Sequence, residues 1–326
     1  MKFLCDIGGT NCRIATVHGD SFNDIKKYKI SDYPNFEVIF REYIKNKNYK
    51  NAQIYMGLAA NPDGNIYHFK NQAIISNDWI IDPIKIKNDF SLSEVHIFDD
   101  FITNSMAIPK LNNSNYNILR SSDNIENKPK CIIGVGTGLG LSYAIPTKNH
   151  YEFIRTYGGH ISLTCVTDEQ YEYKKLLSKK INRTIIFEDF LCGHGVLNLH
   201  NIISEVQGIN NKIKDDNELL YLLNNNKDYL EKTLRIFSEF YGLFAHIAVS
   251  TTSAYGGLYL TGGVTDSLVE KDLLFIDDFI KSFEQNMVPV VAEGLSNTPI
   301  FYPKIDLLSF HGLLYAIDNN IKGENV

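Results

Sequence analysis

Six consecutive residues near the N-terminus, Asp6-Ile7-Gly8-Gly9-Thr10-Asn11, carry the first chemistry legible in this chain. They end a short apolar run, Lys2 to Ile7, and the two glycines let backbone N–H groups face an anion without a Cβ in the way. Thr10 adds a hydroxyl, and Asp6 is placed to hold a divalent ion through water. Gly136-Thr137-Gly138-Leu139-Gly140 repeats the device after a second apolar run, Cys131 to Val135. Two such hairpins, one in each half, suit a polyphosphate gripped from opposite sides. Gly262-Gly263 follows a third run, Gly257 to Leu260. One glycine hairpin alone is often only a turn; the conjunction of all three points to a ligand. Asp99-Asp100-Phe101 leaves another strand, Glu94 to Phe98. By residue type alone, Asp100 ahead of Phe101-Ile102-Thr103 is equally a helix N-cap or a base.

Two common nucleotide readings fail. A Walker A loop requires G-x-x-x-x-G-K-[ST], and neither glycine segment ends in Lys-Ser/Thr. A dinucleotide fingerprint requires G-x-G-x-x-G opening a helix. Gly134-x-Gly136 is followed by Leu139 where glycine is needed, and Gly136-x-Gly138 by Leu141. P-loop NTPases and Rossmann dehydrogenases are therefore excluded.

The elements around these segments read as follows. Asn11 to Val17 resumes a strand after the first hairpin, and Lys26 to Ile30 suggests a third. The spacing of Phe36, Ile39, Phe40, Tyr43 and Ile44 predicts a helix. Gln53 to Ala60 is a strand ended by the turn Asn61-Pro62-Asp63-Gly64. Phe101 to Ile108 is helical, and Leu141 to Ile145 is the strand after the second hairpin. Asn112 to Lys130 is poor in apolar residues and reads as a surface connection, with a domain boundary at or just before it. The pattern from Asp168 to Phe244 is helical, Leu230 to Ala248 forms one long helix, and His311 to Ile321 closes the chain as another.

Composition bounds the function. The 326 residues favour two domains or one large α/β domain. Against 38 acidic side chains stand 32 basic ones, a net charge of -6, which leaves no electrostatic footprint for nucleic acid or an anionic membrane. No apolar stretch approaches the ~18 residues of a membrane span. Asp6 comes too soon for a signal peptide's apolar core. The five cysteines, Cys5, Cys12, Cys131, Cys165 and Cys192, form no C-x-x-C, so a zinc ribbon, a redox pair or a disulfide framework is not expected. A soluble protein of the reducing cytoplasm is expected.

With these segments in order along the chain, the sequence resembles the bacterial glucokinase family, within the superfamily of hexokinase, actin and heat-shock ATPases. The resemblance rests on DIGGTNCR at 6–13, FDDFITNSMAIP at 98–109, GVGTGLG at 134–140, YGGH at 157–160, FEDFLCGHGVLNLH at 187–200 and GGLYLTGGV at 256–264. It implies two RNase H-like (actin-like ATPase) α/β domains around a central cleft. Residues 1–110, completed by a C-terminal helix at 312–326, would form the small domain and 111–311 the large one. It implies ATP with its phosphates between the two hairpins (Asp6, Ile7, Gly8, Gly9, Thr10 and Asn11; Gly136, Thr137 and Gly138) and its adenosine near Gly262 and Gly263. Mg²⁺ would be held by Asp6 through water. Asp100 would be the base that takes the proton of the sugar 6-hydroxyl, with Asp99, Asp100, Tyr157, His160 and Glu188 on the sugar. A homodimer is also implied.

Two positions depart from the family pattern. Asp99 stands where the family usually has Asn, and Tyr157 where it usually has Glu. Ionised Asp99 only accepts hydrogen bonds, and Tyr157 loses a charge and an oxygen. A charge-assisted hydrogen bond contributes about 1.5–3 kcal/mol, so the departures suggest weaker glucose binding or a preference for another hexose. Asp99 beside Asp100 also suggests like-charge repulsion that raises a carboxyl pKa. A kinase for fructose, mannose or an amino sugar is one alternative. A non-catalytic sugar-binding sensor is the other, disfavoured by the intact Asp100 and hairpins; no helix-turn-helix is expected ahead of Lys2, as a sugar-responsive repressor requires.

Overall fold

Phe3, Leu4, Cys5 and Ile7 are all fully buried, which makes β1 (Lys2–Ile7) an interior strand apolar on both faces. It pairs antiparallel with β2 (Asn11–His18) and parallel with β4 (Gln53–Leu58). β3 (Ser21–Lys29), largely exposed, is one edge, and β8 (Glu94–Asp99) lies parallel to β4. Between β4 and β8 run the short strands β5 (Asn61–Asp63), β6 (Ile66–His68) and β7 (Ile80–Ile81), a separate three-stranded sheet. Helix α1 (Phe36–Ile44) buries the five apolar residues whose spacing predicted it, and Asn35 caps it. Helices α2 (Pro83–Asp89) and α3 (Asp100–Ala107) flank β8 in sequence. The structure, a computed structural model, describes residues 1–69, 79–122, 127–285 and 288–325.

The second sheet repeats the plan. β9 (Tyr116–Arg120), β10 (Lys130–Val135), β11 (Leu139–Pro146), β12 (Tyr151–Arg155), β13 (Leu258–Thr261) and β14 (Ile300–Pro303) run in the order β12-β11-β10-β13-β14-β9. Its helices are α4 (Asp168–Ile181), α5 (Gly193–Val206), α6 (Asp216–Asn225), α7 (Glu231–Thr252), α8 (Gly263–Glu270), α9 (Ile276–Phe283) and α10 (Pro289–Ser296). The long helix α7 buries Leu234, Phe237, Tyr241 and Phe244, the stripe read in the sequence. The chain then returns to the first sheet through α11 (Leu308–Asp318) and β15 (Glu324–Asn325), the latter pairing antiparallel with β8.

The chain divides into two compact units, Met1–Asn115 with Ile305–Val326, and Tyr116–Lys304. Two expectations are corrected. The surface connection over 112–130 contains a strand, β9, an edge strand antiparallel to β14. Arg120 fixes it, donating to Glu284 and to the carbonyls of Leu295 and Thr298, so a segment poor in apolar residues is held by polar contacts instead. Residues 123–126 of that stretch lie outside the described residues. The closing helix ends at Asp318, short of 326, and the tail continues as the edge strand β15.

Candidate active site

Register places the candidate residues at the same end of their sheets. In the first unit Ile7 pairs with Leu58 and Leu58 with Asp99. The Gly8-Gly9-Thr10 turn and the Asp99-Asp100 pair therefore leave the carboxyl ends of parallel strands, the edge where open α/β sheets bind ligands. In the second unit Gly134 pairs with Thr261, which puts the Gly136 turn beside Gly262-Gly263.

The first hairpin closes on its own backbone. The Gly8 amide closes the turn by donating to the Asn11 carbonyl at 3.1 Å, so it is spent inside the loop. Asp6 faces Arg13 directly across the hairpin, and the guanidinium donates to its carboxylate at 2.8 Å. Burial pushes the Asp6 pKa up, although Arg13 and a hydrogen bond from Ser309 pull it down. Desolvation outweighs the Arg13 charge, and the net direction is upward. Arg13 and Ser309 were not singled out in the sequence. The antiparallel register that sets Arg13 opposite Asp6 is the signal that identifies Arg13.

The second hairpin lies among helix ends. The Gly136 amide donates to Gly138 at 2.9 Å, and the Gly136 carbonyl accepts from Gly193 at the start of α5 at 2.9 Å. A Cβ on Gly136 would sit 3.8 Å from the Gly263 nitrogen at the start of α8. Two helix N-termini thus meet this turn, and their partial positive charge favours an anion there. Gly262 is obligatory: its φ is +99°, and a Cβ would lie 2.5 Å from the Val135 carbonyl oxygen.

Glu188 joins this hairpin to the other candidates. Its Oε2 accepts from the Leu139 amide at 2.7 Å, and its Oε1 lies 3.8 Å from His160 Nε2. Asp189 holds the turn that carries it, taking two hydrogen bonds from Arg183 at 2.8 and 2.6 Å and one from the Ile186 amide at 2.9 Å. Tyr157 precedes the buried Gly158 and Gly159, and its carbonyl accepts from the His160 amide at 3.0 Å. One continuous patch therefore holds Gly136–Gly138, Glu188, His160 and Tyr157.

The sequence profile of the glucokinase family matches residues 3–300. The chain belongs to the glucokinase family. A glucokinase of Hahella chejuensis is 26% identical over 286 residues, 86% of this chain and 85% of the relative. The solved structure of a glucokinase from an Antarctic psychrotroph aligns with a TM-score of 0.82 at 22% identity, covering 98% of each chain. That of a Balamuthia mandrillaris glucokinase in complex with glucose gives 0.78 at 16% identity, covering 96% of this chain and 92% of the other. The fold is the actin-like ATPase fold of these glucokinases.

This glucokinase-family chain also explains its own Asp99. The cap of α3 is Asp99, not Asp100: its Oδ1 accepts from the Phe101 and Ile102 amides at 3.0 and 3.2 Å. Asp and Asn cap helices about equally well, so the departure from the family's Asn is conservative in this role. Asp100 is the first helical residue, its carbonyl accepting from the Thr103 hydroxyl at 2.5 Å. The cap reading of Asp100 is thereby overturned.

Proposed function

We propose that this chain transfers the γ-phosphoryl group of ATP to the 6-hydroxyl of glucose, with Asp100 as the general base. The observation that carries the reading is Glu188, one carboxylate bonded to the second glycine hairpin and set beside His160. A group shared in this way ties a phosphate loop to a hydroxyl-binding patch, as transfer between two bound substrates requires. With the Gly8 and Gly136 amides spent in their turns, the amides of Gly9, Thr10, Thr137 and Gly138 are the candidates for the phosphate oxygens. Gly262 and Gly263 lie toward the adenosine, and Asp99, Asp100, Tyr157, His160 and Glu188 toward the sugar. Asp100 accepts the hydroxyl proton as the oxygen attacks, and the helix ends at Gly136 meet the charge on the transferred group.

The residues also fit Mg²⁺. A magnesium ion that accompanies nucleotide phosphates keeps most of its water and needs only one or two protein carboxylates. Asp6, half-buried at the end of β1 and paired with Arg13, is the carboxylate that would hold it through water. The ion would neutralise charge on the phosphates.

A coupled assay with pure protein and Mg-ATP should show glucose consumed; no hexose phosphorylated would reject the reading. EDTA should abolish turnover, and restored Mg²⁺ should return it. Tyr157 favours a second reading, a kinase for fructose, mannose or an amino sugar, which a comparison of kcat/KM across these sugars decides. Five free, buried cysteines suit the cytoplasm. We also expect a homodimer, to be tested by light scattering.

A further inference from the structure

Tyr157 is a large aromatic side chain left 59% exposed beside two groups proposed to grip the sugar. Its placement is not loose. The Arg155 guanidinium lies over its ring at 5.0 Å from the centroid. The His160 ring lies 6.1 Å away, tilted by 39°. The turn beneath is fixed: the Thr156 hydroxyl donates to the Leu141 carbonyl at 2.6 Å and accepts from the Gly158 amide at 3.1 Å. A Cβ on Gly158 would meet Leu141 Cδ2 at 2.6 Å, so the turn lies flat against β11 and carries Tyr157 on its outer side. The order Arg155, Tyr157, His160, Glu188, Leu139 is then a chain of contacts ending at the second hairpin.

An aromatic face bears negative charge and attracts the weakly positive C–H groups of a flat saturated ring. A carboxylate at the same position would instead grip hydroxyls one by one. We propose that Tyr157, oriented by Arg155 over one face of its ring, is the specificity-determining residue of the sugar subsite, the opposite face being a stacking platform for the C–H face of a pyranose. This inference rests on the proposed sugar-kinase reading and adds how the sugar is held. Arg155 is a positioning residue, acting through the ring it covers. The subsite reads ring shape more than any single hydroxyl, so it tolerates a missing hydroxyl better than a carboxylate would.

The test is steady-state kinetics and glucose heat-shift measurements on the wild type, Tyr157→Phe, Tyr157→Ala, Tyr157→Glu, Arg155→Met and Arg155→Lys. Tyr157→Ala should raise the glucose KM about 5- to 150-fold, with kcat changed less, the range expected for losing one stacked aromatic contact. Tyr157→Phe should raise it only about two- to threefold, since the face is kept. Arg155→Met should raise KM about threefold and Arg155→Lys should restore most of it, because either cation can cover the ring. Across the monodeoxyglucoses, at least one should be penalised about tenfold more by Tyr157→Glu than by the wild type. Phe as harmful as Ala would assign the work to the hydroxyl and overturn the platform. Ala without effect on KM or on the glucose heat shift would overturn it as well, while leaving the kinase reading intact if the wild type turns over. A wild type that neither phosphorylates nor is stabilised by any hexose would reject both.

Discussion

Asp99 and Asp100 are neighbours that the backbone separates. Asp99 turns onto the amides of α3, while Asp100 stands one residue further on as the first helical residue. Sequence alone left cap and base open for Asp100, because both need a carboxylate after a strand. Only the hydrogen bonds name the cap. Asp100→Asn should therefore lower kcat about 10²- to 10⁴-fold, the worth of a general base, with Mg-ATP affinity changed little by calorimetry. An equal loss of nucleotide affinity would move Asp100 to the phosphates. Glu188 allows a sharper separation. Glu188→Gln keeps a carbonyl oxygen for the Leu139 amide but loses the charge near His160, so the glucose KM should rise while the ATP KM holds. Glu188→Ala leaves a part-buried amide without its acceptor, a loss of about 1–3 kcal/mol, and both KM values should rise. If the two variants affect ATP equally, Glu188 does not couple the subsites.

At the scale of elements, the legible parts were those with one strong period and no competing account. Helix α1 begins and ends where its apolar spacing placed it, at Phe36 and Ile44, because its buried stripe admits no strand reading. Strand β9 was not legible. Its residues are mostly half-buried and its anchor is Arg120, whose partners Glu284, Leu295 and Thr298 are remote in sequence. The tail failed for a similar reason: β15 exists through pairing with Ile97 and His96 of β8, a long-range event with no local signature. The packing of α11 on α3 is equally silent in sequence, yet depends on one residue. A Cβ on Gly312 would fall 1.7 Å from the Thr103 carbonyl oxygen, which no rotamer change relieves. Gly312→Ala should cost about 1–3 kcal/mol or more by overpacking, read as a lower urea midpoint. Because α3 begins at Asp100, kcat should fall as well. Full stability in this variant would mean that the two helices shift apart freely.

At the scale of the whole chain, net charge says little about where charge matters, and pH dependence of stability reads it better. Asp266, in the first turn of α8, has its pKa pushed up to about 6 by burial and by Glu270, against a hydrogen bond from Tyr302. An unfolded aspartate titrates near ~3.9. The fold therefore prefers the protonated form: this contribution is fully present below about pH 4 and is lost as pH rises through about 6. His200 works in the opposite direction. Burial lowers its pKa, and it sits against Thr233 and the Asn211 carbonyl at 2.9 and 2.7 Å. Its contribution is present above the ordinary histidine value and is lost as pH falls through the lowered one. Asp266→Asn keeps an acceptor for the Tyr302 hydroxyl and removes only the charge. Its Tm should exceed the wild type's at pH 8 and converge with it below about pH 4, while the acid-side loss assigned to His200 persists in both. A Tm at pH 8 equal to or below the wild type's would show that Tyr302 already compensates the buried charge, and that Asp266 sets no part of the profile.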